Sequence, residues 1–374
     1  MSAEILFWAS ASLAFYVYAG YPLVLCLFRL LVPRPVSRRP IEPEVSILVA
    51  AYNEEAVIEA KIRNCLDLDY PPGKLEVVVV SDGSTDQTAA HAARLSGQGR
   101  VRVISHAENS GKLAVLNETI PQLRGEIVVL SDASSLLAPD SVRRLMAPFA
   151  DPQVGAASGL YRVSKGDQPA GDLGKQENAY WKYETFLKRQ ESAVGSILGA
   201  HGALYALRKS LYPFPPPGLI NDDYIIPVRI LQQGYRVTYE PEAVAWESVQ
   251  DLGGFRRRVR VMRGNLQQLR EIRGFLWPPR LWPLFCIVSH KAGRLGVPLA
   301  MLVMAASNVF LLPQPGYLAI AALQAAFYVL VALGAGWRLQ PRFLGLPYYF
   351  CMIHAAALLA LCQTLAGRRQ VAWK

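Results

Sequence analysis

Val45-Ser46-Ile47-Leu48-Val49-Ala50, running straight into Ala51-Tyr52-Asn53-Glu54-Glu55, is the stretch that decides the fold. Six uncharged residues, three of them β-branched, read as a buried strand. The polar turn that breaks it opens a helix whose apolar positions, Ile58, Ile62 and Leu66, recur every four residues. The same grammar repeats downstream. A second strand at residues 75–80 runs into Ser81-Asp82-Gly83-Ser84-Thr85-Asp86, and a third at 101–105 leads to Gly111-Lys112 and another helix. A fourth at 126–130 ends at Ser131-Asp132-Ala133-Ser134-Ser135. Strands alternating with helices predict an α/β domain with a largely parallel sheet. Any one of these loops alone reads more readily as ordinary turn chemistry. Four of them at the carboxyl ends of strands, where open α/β sheets bind ligands, predict a site.

The absent motifs narrow that site. No G-x-G-x-x-G follows the first strand and no G-x-x-x-x-G-K-[ST] occurs, which disfavours dinucleotide oxidoreductases and P-loop ATPases. What remains is a nucleotide site built from acidic loops, in which Asp132 holds a divalent cation against a diphosphate and Lys112 adds a compact positive charge.

Composition places this domain at a membrane. Of 374 residues 52% are hydrophobic and 18% charged, against about 25% charged in an average soluble domain. The net charge of +10 fits an anionic leaflet or phosphate ligands better than nucleic acid. Five cysteines without paired spacing argue against a disulfide framework and against structural zinc. Residues 5–32 carry Arg29 as their only charge and exceed the ~20 residues needed to span a bilayer. The run continues well past any small-residue cleavage site, which favours an anchor over a signal peptide. Arg34, Arg38 and Arg39, interleaved with Pro33, Pro35 and Pro40, make a stiff basic linker and predict that the domain beyond is cytosolic. Three further apolar segments follow at 295–312, 317–336 and 343–366. Four spans would put Arg368, Arg369 and Lys374 outside, against the positive-inside tendency. A re-entrant last segment broken at Pro347, or a further crossing near 281–289, would restore it. The aromatic and basic stretch 277–294 reads as an interfacial helix on the headgroups. The expected organisation is a spanning helix and linker (1–36), a cytosolic domain (37–275), and an interfacial helix with about three membrane segments (276–374).

The ordered set of Ala51-Tyr52-Asn53-Glu54-Glu55, Asp82-Gly83-Ser84-Thr85-Asp86, Gly111-Lys112 through Asn117, Ser131-Asp132-Ala133, Gly199 through Arg208, Asn221-Asp222-Asp223-Tyr224 and Arg257-Arg258-Val259-Arg260, flanked by membrane spans, resembles the membrane-bound family 2 glycosyltransferases. That group contains cellulose, chitin and hyaluronan synthases. The resemblance implies the A-type nucleotide-sugar fold, with Tyr52, Glu54 and Asp82 holding the uridine and Lys112 on the donor side. It further implies Asp132 at the metal (Mg²⁺ or Mn²⁺) and diphosphate, and Asp223 as the base on the acceptor hydroxyl. Two positions depart from the family pattern. Ser134 replaces the second acid of Asp-x-Asp, and Val261 replaces the tryptophan of Q/R-x-x-R-W, although Arg257 and Arg260 remain to clamp a diphosphate.

Asp222 and Asp223 precede a helical pattern at 224–233, so an N-cap role competes with catalysis. Two adjacent, partly buried carboxylates raise each other's pKa, which suits a base. Asp222, His201 and Trp181 are expected on the acceptor side, Trp181 within an aromatic and acidic cluster with Tyr180, Tyr183 and Glu184. His354 and Gln363 are polar groups in the last span that could line an acceptor path, and the stiff loop 213–218 could gate the site.

The expected activity is inverting transfer from a nucleotide diphosphate sugar, UDP-linked, to a saccharide or lipid-linked acceptor at the cytoplasmic face of the inner membrane. The partners would include membrane lipids and further subunits or a second copy, without nucleic acid. A processive synthase that exports its product stays open as a second reading. A membrane scaffold that senses nucleotide sugar without turnover stays open as a third.

Overall fold

The computed structural model describes residues 2–97, 99–164, 172–248, 254–336 and 342–367. The chain begins with helix α1 (Ser2–Leu31), then enters an alternating domain of β1 (Val45–Ala51), α2 (Ile58–Leu66), β2 (Leu75–Asp82), α3 (Thr88–Ala93), β3 (Val101–His106), α4 (Lys112–Thr119) and β4 (Ile127–Leu130). After β4 come β5 (Ser135–Leu137), α5 (Ser141–Met146), β6 (Val154–Ser164), the long helix α6 (Asp172–Val194), β7 (Tyr205–Arg208), α7 (Asp222–Gln232), β8 (Arg236–Ser248) and α8 (Phe255–Gln268). Helices α9 (Leu281–Val309), α10 (Pro315–Gly336) and α11 (Arg342–Leu365) follow.

All seven residues of β1 are buried, because helices cover both faces of the sheet. Val45, Ile47 and Val49 pack with Ile58, Ile62 and Cys65 of α2 on one face, whereas Leu48 and Ala50 meet Leu113 and Leu116 of α4 and Ile225 and Ile226 of α7 on the other. The eight strands form one sheet in the order β3-β2-β1-β4-β7-β6-β8-β5. The first four are parallel, with Val45 opposite both Leu75 and Ile127. Beyond β4 the expected parallel arrangement gives way to a mixed one: β7 runs antiparallel to β4 and β6, and β5 antiparallel to β8, while β6 and β8 are parallel. Strands as short as β5 and β7 carry no pattern from which direction can be read; their sense depends on where the preceding helix or loop sets them down.

One glycine is indispensable to the parallel half. A Cβ on Gly125 would sit 2.4 Å from the Ser46 backbone nitrogen and 2.7 Å from the Val45 carbonyl carbon, and its own N–H donates to Ser46 Oγ at 2.8 Å. Gly125→Val is therefore expected to cost about 3 kcal/mol by forcing β1 and β4 apart. A clearly lowered thermal midpoint of the detergent-solubilised protein would show it; an unchanged midpoint would contradict this packing.

Among the described residues, four helices are long and apolar enough to cross a membrane: Ser2–Leu31, Leu281–Val309, Pro315–Ala335 and Gly345–Leu365. The stretch expected to lie on the headgroups as a separate helix instead runs, from Leu281, into the following apolar segment as one helix, with a π-helical section at Ile287–Ala292. The loop around Arg338 and the tail carrying Arg368, Arg369 and Lys374 lie outside the described residues. Helix α6 ties the domain to the membrane helices: Tyr21 donates to Glu191 Oε1 at 2.7 Å, His290 Nδ1 lies 2.8 Å from the same oxygen, and Arg294 pairs with Glu184.

Candidate active site

The site grows from the carboxyl end of β4. Asp132 is the second residue beyond that strand, and its loop is held from beneath by Lys61 of α2, a fully buried ammonium that donates to Ser131 Oγ at 2.6 Å and to the Ser135 carbonyl at 2.5 Å. From above, the 199–203 loop passes so close that a Cβ on Gly202 would stand 2.9 Å from Asp132 Oδ2. Lys112 opens α4 after Gly111, whose φ of +90° favours glycine. The Lys112 ammonium reaches Asp132 Oδ1 at 2.8 Å and Asp222 Oδ1 at 3.1 Å. Burial pulls the Lys112 pKa down, but Asp132, Asp222 and Asp223 outweigh it and leave it above the ordinary lysine value. Burial likewise opposes ionisation of Asp132, yet Lys112, Lys61 and Arg257 hold its pKa below the usual carboxylate value.

The two acids of Asn221-Asp222-Asp223 separate in role. Helix α7 starts at Asp222 with Asn221 in the cap position and no side-chain capping bond, so neither acid acts as the N-cap. Asp222 is buried; it accepts from the Tyr205 hydroxyl at 2.9 Å on one oxygen and faces Lys112 on the other. Asp223 instead faces a cavity of about 260 Å³ that also exposes Asp132, Trp181, His201, Glu247 and Arg257. Burial, followed by the Asp222 charge, raises the Asp223 pKa to about 6, with Lys112 and Lys188 only partly offsetting them.

His201 lies in that wall among the rings of Trp181, Tyr239 and Tyr161, at centroid distances of 5.2, 5.9 and 6.3 Å. Burial pushes its pKa well below the histidine value, so the imidazole is neutral, and its Nε2 has no hydrogen-bond partner among the described residues. The basic run at the start of α8 divides. Arg257 lies 4.0 Å from Glu247, and Arg260 sits in the field of Asp132, Asp222 and Asp223, with burial lowering its pKa. Arg258 lines the same cavity as Arg257 and stacks over the Tyr349 ring of α11 at 4.7 Å.

The residues expected to hold the uridine do not line this cavity. They occupy the neighbouring strand ends. Asp82 is fully buried and accepts from Ser110 N and Oγ, each at 2.9 Å, and from Gly111 N at 2.8 Å, so its carboxylate positions the turn that delivers Lys112. Tyr52 and Glu54 lie in the turn after β1, which is laced to the turn after β2. Asn53 Oδ1 accepts from Thr85 N at 2.8 Å, and Glu54 N donates to Thr88 Oγ1 at 2.8 Å. The loop 213–218 is held at its base, where Asn117 bridges the Tyr212 hydroxyl and the Pro215 carbonyl.

Two site residues escaped sequence reasoning. Lys61 reads as an ordinary polar residue on a helix, and only the tertiary fold turns it inward. Glu247, at the end of β8, accepts from Ser134 Oγ at 2.9 Å. The substitution of Ser134 for an acid was the signal, because it leaves room in that loop for a carboxylate from another strand. Among the described residues no group of three or more His, Cys, Asp or Glu is arranged to hold a metal. Asp132, with Glu247 beside its loop, offers hard oxygen ligands suited to Mg²⁺ or Mn²⁺, provided phosphate and water complete the shell. The donor set fits a cation that arrives with its diphosphate.

The family model described as "Glycosyltransferase like family 2" matches residues 43–263. The poly-beta-1,6-N-acetyl-D-glucosamine synthase of Staphylococcus aureus strain COL is 29% identical over 253 residues, 66% of this chain and 60% of the relative. The synthase of the same name from Staphylococcus epidermidis is 28% identical over 240 residues, 63% of this chain and 57% of the relative. The chain thus spans less than two thirds of the length of these curated relatives. Among solved structures, the mannosyltransferase PcManGT from Pyrobaculum calidifontis, in complex with GDP-Man and Mn²⁺, superposes with a TM-score of 0.74 at 24% identity, covering 97% of this chain and 99% of that one. That likeness establishes the fold.

Proposed function

Because the chain belongs to the glycosyltransferase like family 2 and is a glycosyltransferase of the A-type fold beside membrane helices, we propose that it transfers a sugar, with inversion, from a UDP-linked donor to a saccharide or glycolipid acceptor at the cytoplasmic membrane face. The observation that carries this reading is the Asp223 carboxylate. It lines the cavity beside Asp132 and its pKa is raised to about 6, where it can take a proton at neutral pH and still be ionised beforehand.

In this mechanism Lys112, Arg257 and Arg260 hold the donor diphosphate through charge-assisted hydrogen bonds. Asp132, with help from Glu247, would hold Mg²⁺ or Mn²⁺, which neutralises charge on the departing diphosphate when bound. Asp223 accepts the acceptor hydroxyl proton. The acceptor oxygen bonds the anomeric carbon from the face opposite the diphosphate, and the bond from that carbon to the phosphate oxygen breaks. His201 and Trp181 sit on the acceptor wall, where a neutral imidazole and an aromatic face suit a sugar. Tyr52, Glu54 and Asp82 form the nucleoside side, Asp82 acting through the Ser110-Gly111 turn.

The named activity of the relatives, a β-1,6-linked N-acetylglucosamine polymer, makes a UDP aminosugar the first donor to test and keeps processive synthesis as a second reading. Val261 on the cavity wall, where an aromatic platform would be expected, favours short additions. Thermal stabilisation of purified protein by UDP with Mn²⁺, and not by GDP, tests the donor assignment; the reverse preference would overturn it. The orientation has its own test. A reporter fused near Gly97 is expected to be cytoplasmic and one near Gln314 external, because the basic linker follows α1. An external signal at Gly97 would contradict the assignment.

A further inference from the structure

Asp223, at the start of α7, rests on a backbone strut. Ala200 N donates to the Asp223 carbonyl at 2.7 Å, and a Cβ on Gly199 would stand 3.0 Å from Tyr224 Cδ2. The flanks of this turn are fixed too: Ile197 N donates to the Val237 carbonyl and His201 N to Ser158 Oγ, each at 3.0 Å. The strut is held from its other side by Lys188 of α6, a buried residue of the same cavity wall as Asp223, whose ammonium donates to the Gly199 carbonyl. Glu184 and Glu191, one turn away on either side, are already engaged by Arg294, His290 and Tyr21, and among the described residues Lys188 makes no ion pair. Burying an ammonium against one neutral acceptor is costly, and a neutral donor would hold the carbonyl as well, so the charge itself calls for a use.

We propose that Lys188 is a positioning residue for the base: it braces the Gly199-Ala200 backbone against the first turn of α7 and supplies a positive charge that faces Asp223 across the cavity wall. The inference rests on the transferase reading above and deepens it. Lys112 of α4 also faces Asp223, but it divides its charge between Asp132 and Asp222 at 2.8 and 3.1 Å. Arg260 of α8 lies in the field of the same three acids. The charges around Lys188 itself are Glu184 and Glu191 of α6, Asp223 of α7 and Lys291 of α9. Burial, followed by the Lys291 charge, lowers the Lys188 pKa to about 8 against the pull of the three carboxylates, so Lys188 is protonated throughout the range in which Asp223 ionises. His201 is kept neutral there mainly by burial and does not compete for the proton.

The test is the pH profile of nucleoside diphosphate release by the full chain, with Mn²⁺ and extracted membrane lipid as acceptor. Removing the charge disfavours ionised Asp223, so Lys188→Met is expected to move the acid limb up by about half a pH unit, a loss of about threefold at pH 5. It should also lower the plateau about tenfold, because the turn that sets the Asp223 backbone is no longer braced. Lys188→Gln keeps a donor for the Gly199 carbonyl without the charge, so it should move the limb equally and lower the plateau less. Lys188→Arg keeps both charge and donors and should return the limb to its wild-type position. If Lys188→Met fails to fold, the comparison of the glutamine and arginine variants carries the test. A merely structural lysine would lower the thermal midpoint and the plateau and leave the limb in place. That result, or an arginine variant shifted as far as the glutamine one, would overturn the proposal. No release by the wild type at any pH would overturn the transferase reading itself, and this proposal with it.

Discussion

Asp223→Asn is expected to lower turnover by roughly 10² to 10⁴ while leaving donor affinity within about twofold, because the amide keeps the size and hydrogen bonding of the carboxylate and lacks its proton affinity. A purely structural residue at the start of α7 would tolerate asparagine, since Asp223 carries no capping bond. The pH profile supplies a second readout. The base works ionised, and burial with the Asp222 charge raises its pKa to about 6. Turnover should therefore climb about tenfold per pH unit below that point and level off above it. Asp222→Asn removes the neighbouring charge, so it should move the acid limb to lower pH and slow the plateau only modestly. Steady-state release of nucleoside diphosphate across pH measures all three; wild-type rates in Asp223→Asn would end the catalytic assignment.

Asp132→Ala is expected to produce the next largest loss, about 10² to 10³ in kcat/KM, with a raised donor KM. Two effects combine. The variant loses the carboxylate that would hold the cation, and it leaves Lys112 with Asp222 as its remaining close partner. Chelation of wild type should abolish turnover and added Mn²⁺ restore it. Asp132→Asn, which keeps a hydrogen-bond acceptor for Lys112, should retain more donor binding than Asp132→Ala at an equally low rate. Full activity in excess chelator would show that the diphosphate is neutralised by Lys112 and the arginines alone.

The parallel half of the sheet was legible because β1 to β4 are β-branched runs broken by polar turns. Lys112, Asp132 and Asp223 were legible as chemistry, and the structure brings them together around Asp222. The mixed half was not, since β5 and β7 are three and four residues long and their direction is a tertiary outcome. Asp82 illustrates the same limit. Its motif suggests contact with the nucleoside, yet its carboxylate is engaged by the Ser110-Gly111 backbone, a bond between segments 28 and 29 residues apart. Lys61 was invisible because it sits in no motif and is buried by the packing of α2 against the β4 loop, whereas Glu247 was signalled only indirectly by Ser134, beside which the pairing of β8 with β5 brings it. The membrane segments were legible by length, but the continuity of Leu281–Val309 was not, because Arg280, Lys291 and Arg294 resemble an interfacial pattern. Lys291 instead lines the cavity that holds Asp223, and Arg294 lines a second cavity among the membrane helices.

The most direct test of sugar transfer is the release of nucleoside diphosphate by the purified full chain from a panel of UDP- and GDP-linked sugars, with Mn²⁺ and extracted membrane lipid as acceptor. The account predicts metal-dependent release from a UDP-sugar, with the label recovered in a saccharide or glycolipid product. Binding of nucleotide sugar without release from any donor under these conditions would contradict it.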